Sequence, residues 1–262
     1  MEFTVDGRSV YAATGHSPWD DRKDSVVFLH GVGADHTVWV LPTRFFGRKG
    51  RNVLALDFPG SGRSEGPPLP TIEELAAWVV EVLDAAGIDK AAIVGHSMGA
   101  LVSLAVAATR PDRVRGLVLL GVASPMTVSD ELLDNAKRNT WDTVQMMNLW
   151  SHSRRAQIGG NDVPGIWMLG LNQRLLEQAK PGVIYAGLKA CHEFASGVEM
   201  AGVVTCPTLF LLGSKDRMTP ALRAKPLIDA APQARSVVFA DTGHALLAER
   251  PDEVLDELIT IV

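Results

Sequence analysis

The sequence predicts an α/β protein with a mostly parallel, doubly wound sheet and helices on both faces. Short, continuous apolar runs recur along the chain, as expected for strands that are covered on both faces. Helical patterns separate these runs, and the connections between them are short. Such alternation is typical of parallel sheets, in which ligands bind beyond the carboxyl ends of the strands.

The predicted strands are identified by their apolar composition and by the turn residues that bound them. They are residues 2–5, 9–13, 25–29, 51–56, 91–94, 114–120, 208–212 and 235–240. The first two flank Asp6-Gly7, which is a hairpin turn signal. The remainder end in glycine-containing or polar loops, and these loops are therefore the places to look for chemistry.

Helices are predicted between these strands. Thr71-Ile-Glu-Glu74 has the pattern of a capping box and begins an amphipathic helix. A buried helix is predicted from about Met98 to Thr109. Thr219-Pro220 is predicted to cap another helix, with the proline at its first position, and a last amphipathic helix begins near Pro251.

The stretch from residue 122 to 203 interrupts the alternation. It has no buried-strand run and is rich in tryptophan and methionine, which favours an inserted helical segment. Gly159-Gly160-Asn161 and Pro164-Gly165 are predicted to break its helices. We therefore predict a core made of residues 1–121 and 204–262, with residues 122–203 inserted as a helical lid.

Composition limits the classes of function. The 262 residues are 47% hydrophobic, so a sizeable core is available, and the net charge of −5 disfavours nucleic acid as a partner. The first fifteen residues show no secretory signal, and we expect no membrane span. Cys191 and Cys206 are too few for a disulfide framework and lack metal-ligand companions. We expect a soluble, cytoplasmic protein that acts on a small molecule, and a homodimer is left open.

Gly95-His96-Ser97-Met98-Gly99 carries the strongest local signal. It matches G-x-S-x-G, in which a serine stands on a strained turn between a strand and a helix. Residues two positions away on either side of the serine must be very small, and both are glycine. The helix that begins at Met98 directs its free amides and its positive dipole end towards Ser97. Ser97 is therefore the candidate nucleophile.

The motifs HGVG, DFPGSGRS, GHSMG, GSKDRMTP and TGH follow one another along essentially the whole chain. Through them the sequence resembles the α/β-hydrolase superfamily. That resemblance implies the chain order serine, acid, histidine, and hence Ser97, Asp216 and His244. His244 would take the serine proton, and Asp216 would hold the imidazole tautomer. Asp216 is preferred over Asp241, whose expected role is a turn hydrogen bond, and over Asp130, the first acid after strand 114–120.

An acyl-transfer intermediate needs two fixed donors for its oxyanion. We expect these to be the backbone amides of Met98, from the elbow geometry, and of Val32, from the loop after strand 25–29. The resemblance implies that His30 braces that loop. His96 occupies the x position of the elbow and is expected to pack beside it. The resemblance also implies a structural role for three residues, since the D-x-P-G-x-G-x-S segment of the family bridges loops near the site: Asp57, Arg63 and Ser64.

The substrate pocket is expected between the lid and the core. Its candidate residues are large and apolar: Trp39, Trp141, Met147, Trp150, Trp167 and Leu246. The alternative is that these side chains form only the packing core of the lid. No glycine-rich phosphate loop and no Cys/His cluster is visible, so we expect neither a cofactor nor a metal.

The sequence therefore predicts a serine hydrolase that cleaves a small carboxylic ester, lactone or thioester through an acyl-enzyme on Ser97. Haloalkane dehalogenases and epoxide hydrolases of this fold use aspartate at that position. Two alternatives with the same fold are a C–C bond hydrolase of ring-fission products and a cofactor-free perhydrolase. An alternative of another class is a ligand receptor that retains the hydrolase fold.

Overall fold

The strands form one eight-stranded sheet in the computed structural model, which describes residues 1–16, 18–160 and 167–262. The strand order is β1-β2-β4-β3-β5-β6-β7-β8. β1 and β2 are antiparallel to their neighbours, whereas β3 to β8 are parallel, so the predicted mostly parallel sheet is confirmed. The strands are β1 Glu2–Val5, β2 Arg8–Ala13, β3 Ser25–Leu29, β4 Asn52–Leu56, β5 Ala91–His96, β6 Val114–Leu120, β7 Thr208–Gly213 and β8 Ala234–Phe239.

Helices connect these strands and cover the sheet. They are α1 Val40–Arg48, α2 Ile72–Ala85, α3 Met98–Thr109, α4 Asp130–Lys137, α5 Trp141–Ser151, α6 Arg154–Gln157, α7 Met168–Gln178, α8 Val183–Glu193, α9 Gly197–Gly202, α10 Lys225–Ala230, α11 Leu246–Glu249 and α12 Pro251–Ile259. None of the described helices is long and apolar enough to cross a membrane.

Two hydrophobic cores lie on opposite faces of the sheet. Ile93 belongs to the core formed with α2 and α3, and its neighbour Val94 belongs to the core formed with α1 and α12. Successive side chains of a strand point to opposite faces, so a strand covered on both sides has no polar face. All five residues of β3 are accordingly buried. The double covering explains why the strands are recognisable as continuous apolar runs.

The register of the sheet brings several strand ends to one edge. Leu29, the last residue of β3, pairs with both Leu56 of β4 and Gly95 of β5. Leu120 at the end of β6 pairs with His96, and Gly213 at the end of β7 pairs with Phe239. The loops that carry the candidate residues therefore leave the sheet side by side.

The two predicted helix caps have different outcomes. Thr71 caps α2 as predicted, because its hydroxyl accepts the amide hydrogen of Glu74 at 3.1 Å. The prediction that Thr219-Pro220 caps a helix is wrong. Pro220 precedes a short 3-10 turn without a side-chain cap, and α10 begins only at Lys225. The Thr219 hydroxyl instead bonds the carboxylate of Asp216.

The inserted segment, residues 122–203, contains α4 to α9 and no strand among its described residues. Part of it has a small core of its own, formed by Leu132, Ala136, Val144, Met147, Leu176 and Leu188. Its last part, from Ala190 to Ala201, packs instead into the core beside α3. Gly159 has a φ of +82° just after α6, whereas Asn161 and Pro164-Gly165, the other predicted breaks, lie outside the described residues.

Candidate active site

Ser97 lies on a sharp turn between β5 and α3. Its φ of 57° and ψ of −118° form a conformation that costs a non-glycine residue about 1–3 kcal/mol, and such strain clusters at functional sites. Both glycines of the motif are required because a side chain at either position would collide with neighbouring backbone. A Cβ at Gly95 would collide with the carbonyl of Gly99, and a Cβ at Gly99 would collide with the carbonyl of Leu29. The turn therefore needs this motif for steric reasons.

Asp216 and His244 form a buried pair. Oδ2 of Asp216 is 2.8 Å from Nδ1 of His244, and the two residues are 6% and 4% exposed. The other carboxylate oxygen accepts the amide hydrogens of Met218 and Thr219, each at 2.8 Å. The Thr219 hydroxyl donates to Oδ2 at 2.8 Å and lies 3.1 Å from the same ring nitrogen.

These contacts keep Asp216 ionised. Burial alone would raise the pKa of the Asp216 carboxyl, but the neighbouring His244 and the hydrogen bonds from His244 and Thr219 hold this pKa below its ordinary value. A charged carboxylate at Nδ1 favours the imidazole tautomer that carries its proton on that nitrogen. The other nitrogen, Nε2, then has a free lone pair with which it can accept a proton.

Ser97 and His244 open onto the same cavity. Within the part of the chain that the structure describes, the Ser97 hydroxyl makes no hydrogen bond to the ring. Catalytic hydrogen bonds are often long in unliganded enzymes and shorten when substrate binds. The structure thus joins Asp216 to His244 directly, and Ser97 opens onto the same cavity.

The two expected oxyanion donors are the backbone amides of Met98 and Val32. Met98 is the first residue of α3, so its amide has no partner within the helix. Val32 is half-buried, follows β3 and lines the cavity. Among the described residues, neither amide donates to a protein acceptor. Both are therefore available for a negatively charged oxygen.

Two further histidines brace the loops. His30 is fully buried, accepts the amide hydrogen of Phe58 on Nε2 at 3.1 Å and places Nδ1 2.8 Å from the carbonyl of Gly31. His96 places Nε2 2.9 Å from the carbonyl of His244, and the two rings are 4.7 Å apart. Desolvation lowers the pKa of His96 to about 3, so this ring is neutral and donates to that carbonyl.

Asp57 organises the DFPGSGRS loop at the neighbouring strand end. Its carboxylate accepts the amide hydrogens of His36 at 2.7 Å and Arg63 at 2.9 Å, and lies 2.9 Å from Nδ1 of His36. The Ser64 hydroxyl donates to the Asp57 carbonyl at 2.7 Å. Asp35, His36 and Asp57 could offer ligand atoms to a metal. Their existing hydrogen bonds account for the cluster as a structural brace of this loop.

The cavity has a volume of about 920 Å³ and is formed by the inserted segment and the loops at the sheet edge. Of the pocket candidates, Met147 and Trp150 line it. Trp39 and Leu246 do not, because both are fully buried in the core on the α1 and α12 face of the sheet. Trp141 and Trp167 are 47% and 72% exposed on the outer surface and do not line it either. The prediction is therefore corrected at these four positions.

The alpha/beta hydrolase family matches residues 26–257 of the chain. The chain belongs to this family. Its sheet order and the turn at Ser97 agree with that assignment, and the prediction of a hydrolase is confirmed at the level of the family.

Several proteins that the chain resembles are named for hydrolytic reactions. A Klebsiella pneumoniae (strain 342) protein, named provisionally as the carbamate hydrolase RutD, is 29% identical over 87% of each chain. The pimeloyl-[acyl-carrier protein] methyl ester esterase of Photobacterium profundum is 29% identical over 91% of this chain and 94% of its own. The enol-lactonase of Burkholderia xenovorans LB400 has a TM-score of 0.85 at 21% identity, over 99% of this chain and 98% of its own, which shows a shared fold.

Several residues around the site of this alpha/beta hydrolase are not predicted from the sequence. Thr219 has the pattern of a helix cap, although Thr-Pro directly after an acid-containing loop also suits a residue that bonds the acid. His152 and Cys191 line the cavity, but no motif surrounds either of them. Glu249 is buried beside the His244 loop, and only its spacing from Thr-Gly-His could have drawn attention to it.

Proposed function

We propose that this protein is a serine hydrolase that cleaves a small carboxylic ester, lactone or thioester. The observation that carries the proposal is the buried Asp216–His244 pair, 2.8 Å apart, on a cavity that also contains Ser97 on a strained elbow. Relatives named for ester and carbamate hydrolysis support the ester-like substrate class. Such substrates share an acyl carbon that a serine can attack.

Ser97 Oγ attacks the acyl carbon while its proton passes to Nε2 of His244. The C–O or C–S bond to the leaving group then breaks, and His244 returns the proton to the departing oxygen or sulfur. Water next attacks the acyl-enzyme, with His244 again as the base, and releases the acid. Asp216 stays ionised throughout and stabilises the imidazolium that forms in each step.

The amides of Val32 and Met98 would bind the oxyanion of each tetrahedral intermediate. One such donor contributes on the order of 10²–10³-fold to kcat. Met98 adds the positive end of the α3 dipole, which favours negative charge at this place. Because these are backbone groups, the elbow conformation sets their position rather than the identity of their side chains.

The inserted segment, residues 122–203, is proposed to act as the lid of the site. Met147, Trp150 and Met168 line the cavity on its side, and Ser97 and His244 line it on the side of the core. A cavity of about 920 Å³ lies within the range of small-molecule sites. Methionine adapts to irregular ligands, so this wall suits acyl or alcohol groups of varied shape.

Hydrolysis of p-nitrophenyl acetate and butyrate tests the proposal. We expect multiple turnovers in the native protein and a loss of kcat on the order of 10⁴-fold or more in Ser97→Ala. Ser103→Ala is the matched control, because that buried hydroxyl only bonds the carbonyl of Gly99 within α3. A single slow turnover in the native protein would contradict the enzyme and favour a receptor. Equal rates in native protein and Ser97→Ala would show that Ser97 is not the nucleophile.

A further inference from the structure

Hydrogen bonds join the inserted segment to the His244 loop on both sides of the histidine. The amide of Ala245 donates to the carbonyl of Ser151 at 2.8 Å. The amides of Gly243 and Ser153 both donate to Oε1 of Glu249, at 3.1 Å and 3.0 Å. The residue after His244 is therefore bonded directly to the last residue of α5, and the residue before it is linked through Glu249 to Ser153, two residues further on.

Glu249 is a buried carboxylate, only 9% exposed, at the end of α11. Burying a carboxylate is costly unless hydrogen bonds compensate, and a charged acceptor strengthens the bonds that it receives. Here one oxygen receives two amide hydrogens from segments far apart in the chain, since Ser153 precedes Glu249 by 96 residues. These two bonds compensate for the burial of the carboxylate and join the inserted segment to the His244 loop.

The two segments also touch directly. A Cβ at Gly243 would lie 2.6 Å from the Ser153 nitrogen, 2.7 Å from Oε1 of Glu249 and 2.7 Å from the Ser151 carbonyl oxygen. All three neighbours lie closer than real Cβ contacts allow, so only glycine fits at this position. A displacement of residues 151–153 therefore cannot be absorbed by free space beside the His244 loop.

The same end of α5 forms part of the cavity wall. Trp150, Ser151 and His152 line the cavity, as do His244 and Ala245. The backbone to which the His244 loop is bonded is therefore also part of the wall that a ligand would contact. Asp216 holds the ring of His244 from one side, whereas Glu249 holds the backbone that carries the ring.

We propose that Glu249 is a positioning residue that couples the α5 wall of the cavity to His244. Its carboxylate touches no reacting atom and acts through the backbone of residues 243 and 153. Substrate seated against Trp150 then sets the placement of the base. This inference rests on the proposed serine hydrolase for its kinetic consequences but on geometry alone for the clamp itself.

Substitutions of Glu249 test the clamp by kinetics with p-nitrophenyl butyrate. Glu249→Ala removes the acceptor and is expected to lower kcat by about 10²-fold with little change in KM, because a misplaced base costs that much. Glu249→Gln retains an acceptor oxygen and should restore most of kcat. Asp256→Ala, which removes an exposed carboxylate from α12, is the control. Unchanged kcat in Glu249→Ala, or equal losses in the Ala and Gln variants, would overturn the proposal.

Glu249→Asp provides the test in case the alanine variant does not fold. It keeps the charge but withdraws the oxygen by one methylene, so both hydrogen bonds lengthen. We expect kcat to lie between the values of native protein and Glu249→Ala, with KM retained. A variant that matches native kcat would contradict a positioning role.

A double-mutant cycle separates coupling from simple stabilisation. Trp150→Ala is expected to lower kcat several-fold in the native background, where the wall is connected to His244. In the Glu249→Gln background the effect should persist, in Glu249→Asp it should be reduced, and in Glu249→Ala it should shrink towards none. Equal effects of Trp150→Ala on kcat in every background would contradict the proposed coupling between the α5 wall and His244.

Hydrogen–deuterium exchange tests the clamp independently of any activity. In Glu249→Ala the amides of Gly243, Ala245 and Ser153 should exchange faster together, whereas those of α3 should not change. If the native protein fails to hydrolyse esters while Glu249→Ala shows this joint increase in exchange, the proposed function is refuted and the clamp is supported. Exchange that changes only within α11 would refute the clamp, whatever the activity.

Discussion

Asp216 and His244 are 28 residues apart in the chain, yet Oδ2 of the first lies 2.8 Å from Nδ1 of the second. The sheet explains this proximity. β7 and β8 are parallel neighbours, and Gly213 pairs with Phe239 at their carboxyl ends. The loops that follow these strands must therefore leave the sheet together, and each carries one member of the pair.

Asp216→Asn should lower kcat by about 10³–10⁴-fold while the protein remains folded. The amide presents a donor or a neutral acceptor to Nδ1, so the imidazole tautomer is no longer fixed and the imidazolium is no longer stabilised. Steady-state hydrolysis of p-nitrophenyl butyrate measures the effect. Asp241→Asn is the control, because Asp241 is exposed and its φ of 51° suits asparagine. A comparable loss in that control would mean that the acid has been misassigned.

Gly121→Ala should displace the His244 ring. A Cβ at this position would lie 2.9 Å from Nδ1 and 3.0 Å from Cε1 of the ring. We expect kcat to fall by about 10²-fold or more. Gly87→Ala is matched to it, because Gly87 also has a positive φ, +67°, but has nothing within 4 Å of the added carbon. That control should lose about 1–2 kcal/mol of stability and keep its kcat.

Trp150→Ala should weaken the preference for longer acyl groups. Butyrate has two more methylenes than acetate, and burying each contributes about 0.8 kcal/mol. Loss of that wall should therefore lower the butyrate-to-acetate ratio of kcat/KM by up to about 15-fold. Trp39→Phe is the comparison, because Trp39 stacks on Phe28 in the core, with ring centroids 5.0 Å apart. It should lower stability and leave the ratio unchanged, and a change in the ratio would place Trp39 at the pocket after all.

Acid should destabilise the fold through His96. Desolvation lowers the pKa of this ring to about 3, whereas in the unfolded chain it is about 6.5. Between these values the unfolded chain binds a proton that the folded chain does not, so the free energy of unfolding falls as the pH falls. The slope is at most about 1.4 kcal/mol per pH unit, fully developed below about pH 6. Above the unfolded pKa this contribution is constant.

Urea unfolding between pH 7 and pH 5 measures this slope in native protein and in His96→Asn. The variant should lose about 1–2 kcal/mol less over that interval. Some slope should remain, because burial also lowers the pKa of His30 and of His152. Identical slopes in the two proteins would contradict a neutral, desolvated His96.

Most of the fold can be predicted from the sequence, because the patterns that indicate its strands and helices are local. β3 and β6 are predicted with the bounds that the structure shows, since burial on both faces makes each strand continuously apolar. α3 is also predicted from end to end, between the elbow and Arg110-Pro111. The assignment of the acid comes instead from resemblance, because nothing local distinguishes Asp216 from other turn aspartates.

The residues that line the cavity cannot be predicted from local sequence signals in the same way. Trp39 and Trp150 are the same residue type, and no sequence motif distinguishes them. Trp39 is nevertheless fully buried in the core, whereas Trp150 lines the cavity. Which side of a helix faces a ligand depends on how the helices of the inserted segment lie over the sheet. The prediction for Thr219 is wrong for a related reason. The fold of the loop places its hydroxyl against the carboxylate of Asp216, and helix propensity gives no indication of this contact.

The amino-acid order alone determined the strands and the elbow, because steric and apolar patterns within a few residues specify them, whereas Asp216 and His244 were selected through the resemblance to a family. Only the tertiary structure decided which large side chains meet the cavity and which carboxylate braces the His244 loop. Those outcomes depend on contacts between segments such as Ser153 and Glu249, 96 residues apart. Packing of whole elements brings such residues together, and no short stretch of sequence encodes it.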